Sequence, residues 1–262
     1  MSDETETVAS TLFDAFFRPL SMPLSEGLSA YLATGRRSET TYRNNPLVYY
    51  SWGEGETVLL VHGINSRGAS MKRFVDPIVA SGRCAVFMDA PAHGESGEGA
   101  TDIIQCGEAI AHVCERVGDV SSAICHSLGG MWFAYAQRHF RVADRAVTIG
   151  SPATIARIVH LYARMCQMKD DVKGRFIEKL LERYGDTYWV DYSIVDNSRG
   201  FDIPGLIIHD ENDEIVPYED AAEIEKAWPS THGMTTSGLG HFGVLKDADV
   251  VDAACRFAIA GD

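Results

Sequence analysis

Short runs of consecutive apolar residues recur along this chain, each followed by a segment of helical period, and that alternation narrows the fold more than any other feature. The runs at residues 47–52, 57–61, 84–88, 122–125, 146–149, 206–209 and 234–236 are strand candidates. Most are apolar throughout, as strands covered on both faces must be, rather than alternating as half-exposed strands do. Between them, Met71, Phe74, Val75, Ile78 and Val79 fall on one helical face. So do Ile103, Ile104, Ile110, Val113, Cys114 and Val117, and near the C-terminus Val250, Val251, Ala254, Cys255, Phe257 and Ala258. Strands and covering helices in alternation predict an α/β fold with a mostly parallel central sheet flanked by helices.

The alternation stops between Pro152 and Gly200, where two helical patterns, 155–168 and 171–184, follow each other with no strand run between them. The expected organisation is therefore an N-terminal arm at 1–46, a core domain at 47–154 and 201–262, and a small helical cap inserted at 155–200. In the arm, Phe13, Phe16 and Phe17 suggest a short amphipathic helix packed on the body of the protein. A chain of 262 residues suits one large domain of this class.

Charge and cysteine usage restrict the partners. A formal net charge of −14 disfavours nucleic acid and anionic lipid as partners, since those need Lys and Arg clustered on one face. Six scattered cysteines with no Cys-x-x-Cys pair read as reduced thiols of a cytoplasmic protein. The acidic residues at the start do not resemble a signal-peptide n-region, and no run of about eighteen apolar residues would span a membrane.

The chemistry concentrates at three places. Cys125-His126-Ser127-Leu128-Gly129-Gly130 follows a buried strand candidate and precedes a helical segment, which is the setting of a nucleophile elbow. Such a turn lifts the Ser127 hydroxyl clear of the sheet and aims the Leu128 amide, at the helix N-terminus, where negative charge is favoured. Downstream, Asp210-Glu211-Asn212-Asp213-Glu214-Ile215-Val216-Pro217 offers carboxylates beyond a strand end, with Asp213 the candidate to orient a histidine and Asp210 the fallback. His241, in the Gly-rich loop Gly238-Leu239-Gly240-His241-Phe242, is the candidate general base, since an imidazole titrates near neutral pH and can take and return a proton.

From residue 47 to the C-terminus the chain resembles the α/β-hydrolase superfamily, in the esterase and lipase manner. The elbow, the order Ser127, Asp213, His241, and the Asp-x-x-Val-Pro pattern at 213–217 carry the resemblance. Val61-His62-Gly63-Ile64-Asn65 is similar to the family's His-Gly turn, which implies Ile64 and Leu128 as the two oxyanion donors. Asp89-Ala90-Pro91-Ala92-His93-Gly94-Glu95-Ser96 resembles a loop-shaping turn of the family, with Ala92 and Cys125 standing where glycines are usual. His62, His93 and His126 are expected to be structural, and His209 lacks further ligands at metal spacing, so neither a metal nor a cofactor is expected.

The resemblance implies acyl transfer to water, and the apolar residues of the cap favour a small or medium carboxylic ester as substrate; thioesters, lactones and carbon–carbon cleavage use the same triad. A non-catalytic small-molecule binder on the same fold is the alternative of another class. A peptidase that takes a free amine would want acidic groups in the cap, where Asp170, Asp171 and Glu178 are available. The apolar faces of the two cap helices are expected mainly to pack against each other and the core.

Overall fold

The computed structural model describes residues 3–20 and 23–260. Two helices, α1 (Asp3–Phe16) and α2 (Glu26–Leu32), precede a hairpin of β1 (Arg36–Tyr42) and β2 (Asn45–Trp52). Then come β3 (Thr57–Val61), α3 (Val75–Ala80), β4 (Cys84–Met88), α4 (Ile103–Val117), β5 (Val120–His126), α5 (Leu128–Phe140) and β6 (Ala146–Ile149). Four helices intervene, α6 (Ile155–Met165), α7 (Asp170–Tyr184), α8 (Tyr188–Asp191) and α9 (Ile194–Asn197). The chain closes with β7 (Gly205–Asp210), α10 (Glu219–Ala227), β8 (Thr231–Thr236), α11 (Gly240–Gly243) and α12 (Ala248–Ala260).

The strands form one sheet in the order β1-β2-β4-β3-β5-β6-β7-β8, antiparallel at β1–β2 and β2–β4 and parallel elsewhere. Strand β3 shows why the runs read as fully buried: Leu59 and Val61 enter the core on one face, Val58 and Leu60 the core on the other. Helices α4 and α5 supply the first core, α3 and α12 the second. Because β4 lies on one side of β3 and β5 on the other, the connections leaving those strands diverge, and a crevice opens beyond the C-terminal ends of β3 and β5.

Caps fix where the helices begin. Asp102 accepts a hydrogen bond from the Gln105 amide at 2.9 Å ahead of α4, and Thr154 accepts one from the Arg157 amide at 3.2 Å ahead of α6; each satisfies an N–H that the helix itself cannot.

The strand β1 was not among the strand candidates. Its sequence, Arg-Arg-Ser-Glu-Thr-Thr-Tyr, is polar because it is an edge strand, exposed on alternate residues. The turn joining it to β2 places Arg43 (φ 47°) and Asn44 (φ 64°) both at positive φ, the two-residue turn that matches strand twist. An arginine in the first turn position hides a hairpin that Asn-Gly would have announced. The N-terminal helix is longer than three phenylalanines suggest, and it packs along α7.

Candidate active site

The turn between β5 and α5 holds Ser127 at φ 54° and ψ −129°, a conformation that strains a residue with a side chain by about 1–3 kcal/mol. Neighbouring strands hold it there: the Ser127 amide donates to the Ile149 carbonyl at 2.9 Å, continuing the β5–β6 ladder past the strand end. Gly129 is required by close approach, since a Cβ there would lie 2.6 Å from the His62 carbonyl oxygen and 2.7 Å from that of Val61. Cys125, in the usual place of the other small residue, is fully buried in the core without such a conflict.

His241 Nδ1 lies 2.7 Å from Asp213 Oδ2, and Nε2 lies 3.1 Å from Ser127 Oγ. An ionised carboxylate only accepts, so Nδ1 carries the proton and Nε2 is left to accept from the serine hydroxyl. Asp213 and His241 are both almost wholly buried. Burial works to raise the Asp213 carboxyl, but hydrogen bonds from His209 and His241, the charge interaction with His241 and the Val216 amide outweigh it and hold the group well below the ordinary carboxylate range. Its Oδ1 accepts the Ile215 and Val216 amides, each at 2.8 Å. The Val216 carbonyl in turn accepts from His209 Nε2 at 3.0 Å, which gives the Asp-x-x-Val pattern a physical basis.

Asp210 has a different partner set. Its carboxylate accepts from the Thr236 hydroxyl and from the amides of Asn212, Leu239 and Gly240, at 2.8 to 3.1 Å. It ties down the loop that carries His241 and does not bond to the imidazole. The His241 carbonyl also accepts from His126 Nε2 at 2.9 Å, and burial, with the neighbouring His241, pushes the His126 imidazole down to about 3. His126 is thus a neutral strut behind the loop.

The opposite side of Ser127 is formed by the turn after β3. His62 donates from Nδ1 to the Gly63 carbonyl at 2.7 Å and accepts the Ala90 amide on Nε2 at 3.0 Å, joining the turns after β3 and β4. Both nitrogens are engaged in the neutral form, and burial pushes His62 down to about 4. Ile64 and Leu128 line the same cavity as Ser127. Leu128 opens α5, so its N–H has no acceptor within the helix. The turn at 89–96 holds itself together through Asp89, whose Oδ1 accepts the Gly68 amide and Oδ2 the Glu95 amide. Ala92 there adopts φ 63°, the left-handed conformation a glycine would occupy without strain.

Two contributors were not singled out in the sequence. Gly150, after β6, is confined by the site itself: a Cβ would stand 3.3 Å from Asp213 Oδ2 and 3.4 Å from His241 Nδ1. His209 has no further ligands at metal spacing in the sequence, yet its Nε2 is 3.5 Å from Asp213 Oδ2. A glycine directly after a parallel strand and a histidine four residues before the aspartate are the only signals either gave. Among the described residues, no three His, Cys, Asp or Glu side chains converge as a metal site would need. None of the six cysteines is paired.

Over Ser127 opens a largely apolar cavity of about 380 Å³. Its walls include Ile64, Leu128, Trp132 and Val216 from the core, and side chains of α6.

The model of the alpha/beta hydrolase family matches residues 58–254. The chain belongs to that family. No curated protein is significantly similar in sequence. Among solved structures, this α/β hydrolase is similar to a membrane phospholipase A described as a bacterial virulence factor, at 14% identity and TM-score 0.71, covering 97% of this chain and 93% of that one. It is similar to Est1E from Butyrivibrio proteoclasticus, solved with ferulic acid bound, at 18% identity and TM-score 0.66 over 84% of this chain and 97% of that one. A meta-cleavage product hydrolase from Pseudomonas fluorescens IP01 matches at 14% identity and TM-score 0.63, over 85% and 96% of the two chains. At such identities the likeness concerns the fold. Among the described residues, no helix of this hydrolase is long and apolar enough to cross a membrane.

Proposed function

We propose that the protein is a serine hydrolase that cleaves a carboxylic ester through an acyl-enzyme intermediate. The observation that carries this reading is the continuous chain from buried Asp213 to His241 to Ser127, at 2.7 and 3.1 Å, at the edge of an apolar cavity. Ser127 Oγ attacks the ester carbonyl as His241 Nε2 takes its proton; Asp213 stabilises the resulting imidazolium. The amides of Ile64 and Leu128 hold the oxyanion, and each such donor supplies about 3 kcal/mol. Collapse expels the alkoxide, which leaves as the alcohol with the proton from His241. Water then attacks the acyl-serine, giving a proton to His241, and the second collapse releases the acid and restores the Ser127 hydroxyl. No cofactor enters either half-reaction. The six unpaired cysteines support a reducing, cytoplasmic setting.

Two of the neighbouring structures, a phospholipase A and a meta-cleavage product hydrolase, favour hydrolysis over simple binding and keep carbon–carbon cleavage as the second reading. A fluorophosphonate probe tests the first step directly: wild type should be labelled and should turn over p-nitrophenyl esters, and Ser127→Ala should do neither. An unlabelled wild type that leaves every ester intact would sink the hydrolase reading and favour a binding protein.

A further inference from the structure

The segment before residue 58 lies outside the family match, yet it builds one wall of the cavity over Ser127. Phe16, Phe17 and Leu20 line the cavity from that segment, and Ile158, Leu161 and Met165 line it from α6. The segment is fastened to the inserted helices by several kinds of contact. Glu6 pairs with Arg175 at 2.5 Å and Lys179 at 2.7 Å, and the Thr5 hydroxyl donates to Asp171 Oδ2 at 2.6 Å. The Tyr162 hydroxyl donates to the Leu12 carbonyl at 2.9 Å, and the Phe16 ring meets the rings of Tyr162 and Phe176 edge-on at centroid distances of 4.9 and 5.4 Å.

At its far end the same segment reaches the site. The Leu20 amide donates to Asn65 Oδ1 at 2.7 Å, immediately after Ile64. Leu20 and Met165 are 69% and 73% exposed, a solvation state that leaves two large apolar side chains at the cavity for a ligand to cover.

The lining also defines what can enter. Asp102, the carboxylate within the cavity wall, is already engaged by the Gln105 amide and the Tyr184 hydroxyl. Arg18 is exposed and can keep its charge in water. A charged group carried into this space would lose its hydration without a dedicated partner, whereas an apolar group would gain by burial.

We propose that the N-terminal segment and α6 together form an acyl-binding slot that selects an uncharged apolar acyl group of medium length, with residues 16–20 setting the length accepted. This rests on the hydrolase reading above, in which Ser127 is the nucleophile. Residues 16–20 of the slot lie outside the family match and α6 lies inside it, so the substrate preference of this chain resides partly in residues before the matched region.

A p-nitrophenyl ester series from acetate to dodecanoate, run on the full chain, tests the slot. For wild type kcat/KM should rise about fourfold per methylene until the slot is filled and then level off. Leu20→Gln and Met165→Gln, changes at exposed positions that do not threaten folding, should each lower the octanoate-to-butyrate ratio of kcat/KM by about threefold or more. Phe16→Ala should move the preferred ester to a longer chain. A flat chain-length profile in a wild type that the fluorophosphonate labels overturns the slot while leaving the hydrolase reading intact. So does preference for an ester bearing a terminal carboxylate over its alkyl equivalent, or an octanoate-to-butyrate ratio that neither glutamine variant alters. A wild type that is neither labelled nor active overturns both.

Discussion

The floor and the roof of the cavity are held by different physics. The floor, made of the turns after β3, β5, β6 and β7 with the His241 loop, is fixed by backbone. Ser127 is strained at positive φ, the Asp210 and Asp213 carboxylates collect amides, and neutral His62 and His126 bridge one turn to another. The roof, made of α1, α6 and α7, is fixed by side chains: ring contacts, the Tyr162 hydroxyl and the ion pairs of Glu6. Backbone constraints permit few residue types at each position, whereas a packed apolar interface accepts many. Substitutions in the floor are therefore expected to cost more than comparable ones in the roof.

The two floor carboxylates give the sharpest break of this comparison. Asp213→Asn should lower kcat on the order of 10⁴-fold, because the imidazole loses the partner that fixes its tautomer. Asp210→Asn should act mainly on stability, releasing amides of the His241 loop, with a far smaller loss of kcat. Steady-state rates and urea unfolding of both variants decide it; equal losses in kcat would mean that the assignment of roles is wrong.

Acid should separate floor from roof. His62, His93 and His126 are pushed down by burial to about 4, 3 and 3, so the fold keeps them neutral while the unfolded chain protonates them near pH 6.5. As pH falls from there towards those values the unfolded state binds more protons than the native one, and stability drops by up to about 4 kcal/mol per pH unit near pH 5. The Asp89 and Asp220 carboxyls, pushed up by burial, oppose this where they titrate. In the roof, hydrogen bonds from Arg175 and Lys179 hold Glu6 down at about 2, so its contribution is complete above about pH 4.5 and is lost only as pH falls from there towards 2. Urea midpoints from pH 8 to 4, followed by far-UV circular dichroism, should fall steeply below pH 6.5. A midpoint constant down to pH 5 would contradict the neutral floor histidines.

The smallest effect belongs to the roof. Tyr162→Phe removes one hydrogen bond to the Leu12 carbonyl and should cost about 1 kcal/mol in urea unfolding. A stability unchanged by this substitution would show that ring packing and ion pairs suffice to seat α1.

The asymmetry explains what could be read in advance. The elbow was legible because Ser127, Leu128 and Gly129 must be followed by a helix and preceded by a buried strand, and few residues meet those steric demands. Asp213 and His241 were legible through their flanking patterns, and Val216-Pro217 favoured Asp213 over Asp210; what the hydrogen bonds added is the separate task of Asp210, which ties down the His241 loop. Gly150 left no mark in the sequence because the residues that confine it, Asp213 and His241, are distant along the chain; His209 acts within its own loop, where a single histidine after a strand has no distinctive pattern. The edge strand β1 went unread because it has only one neighbour and a polar sequence.

By itself the sequence determined the alternation of strand and helix, the sheet buried on both faces and the chemical types brought to the strand ends, because periodicity and steric exclusion act over a few residues. Only the tertiary structure decided that the N-terminal helix lies along α7 and that Phe16, Phe17 and Met165 line a cavity over Ser127. Those outcomes depend on contacts between segments distant in the sequence, and an apolar side chain carries no mark of whether its neighbour is the core or a ligand.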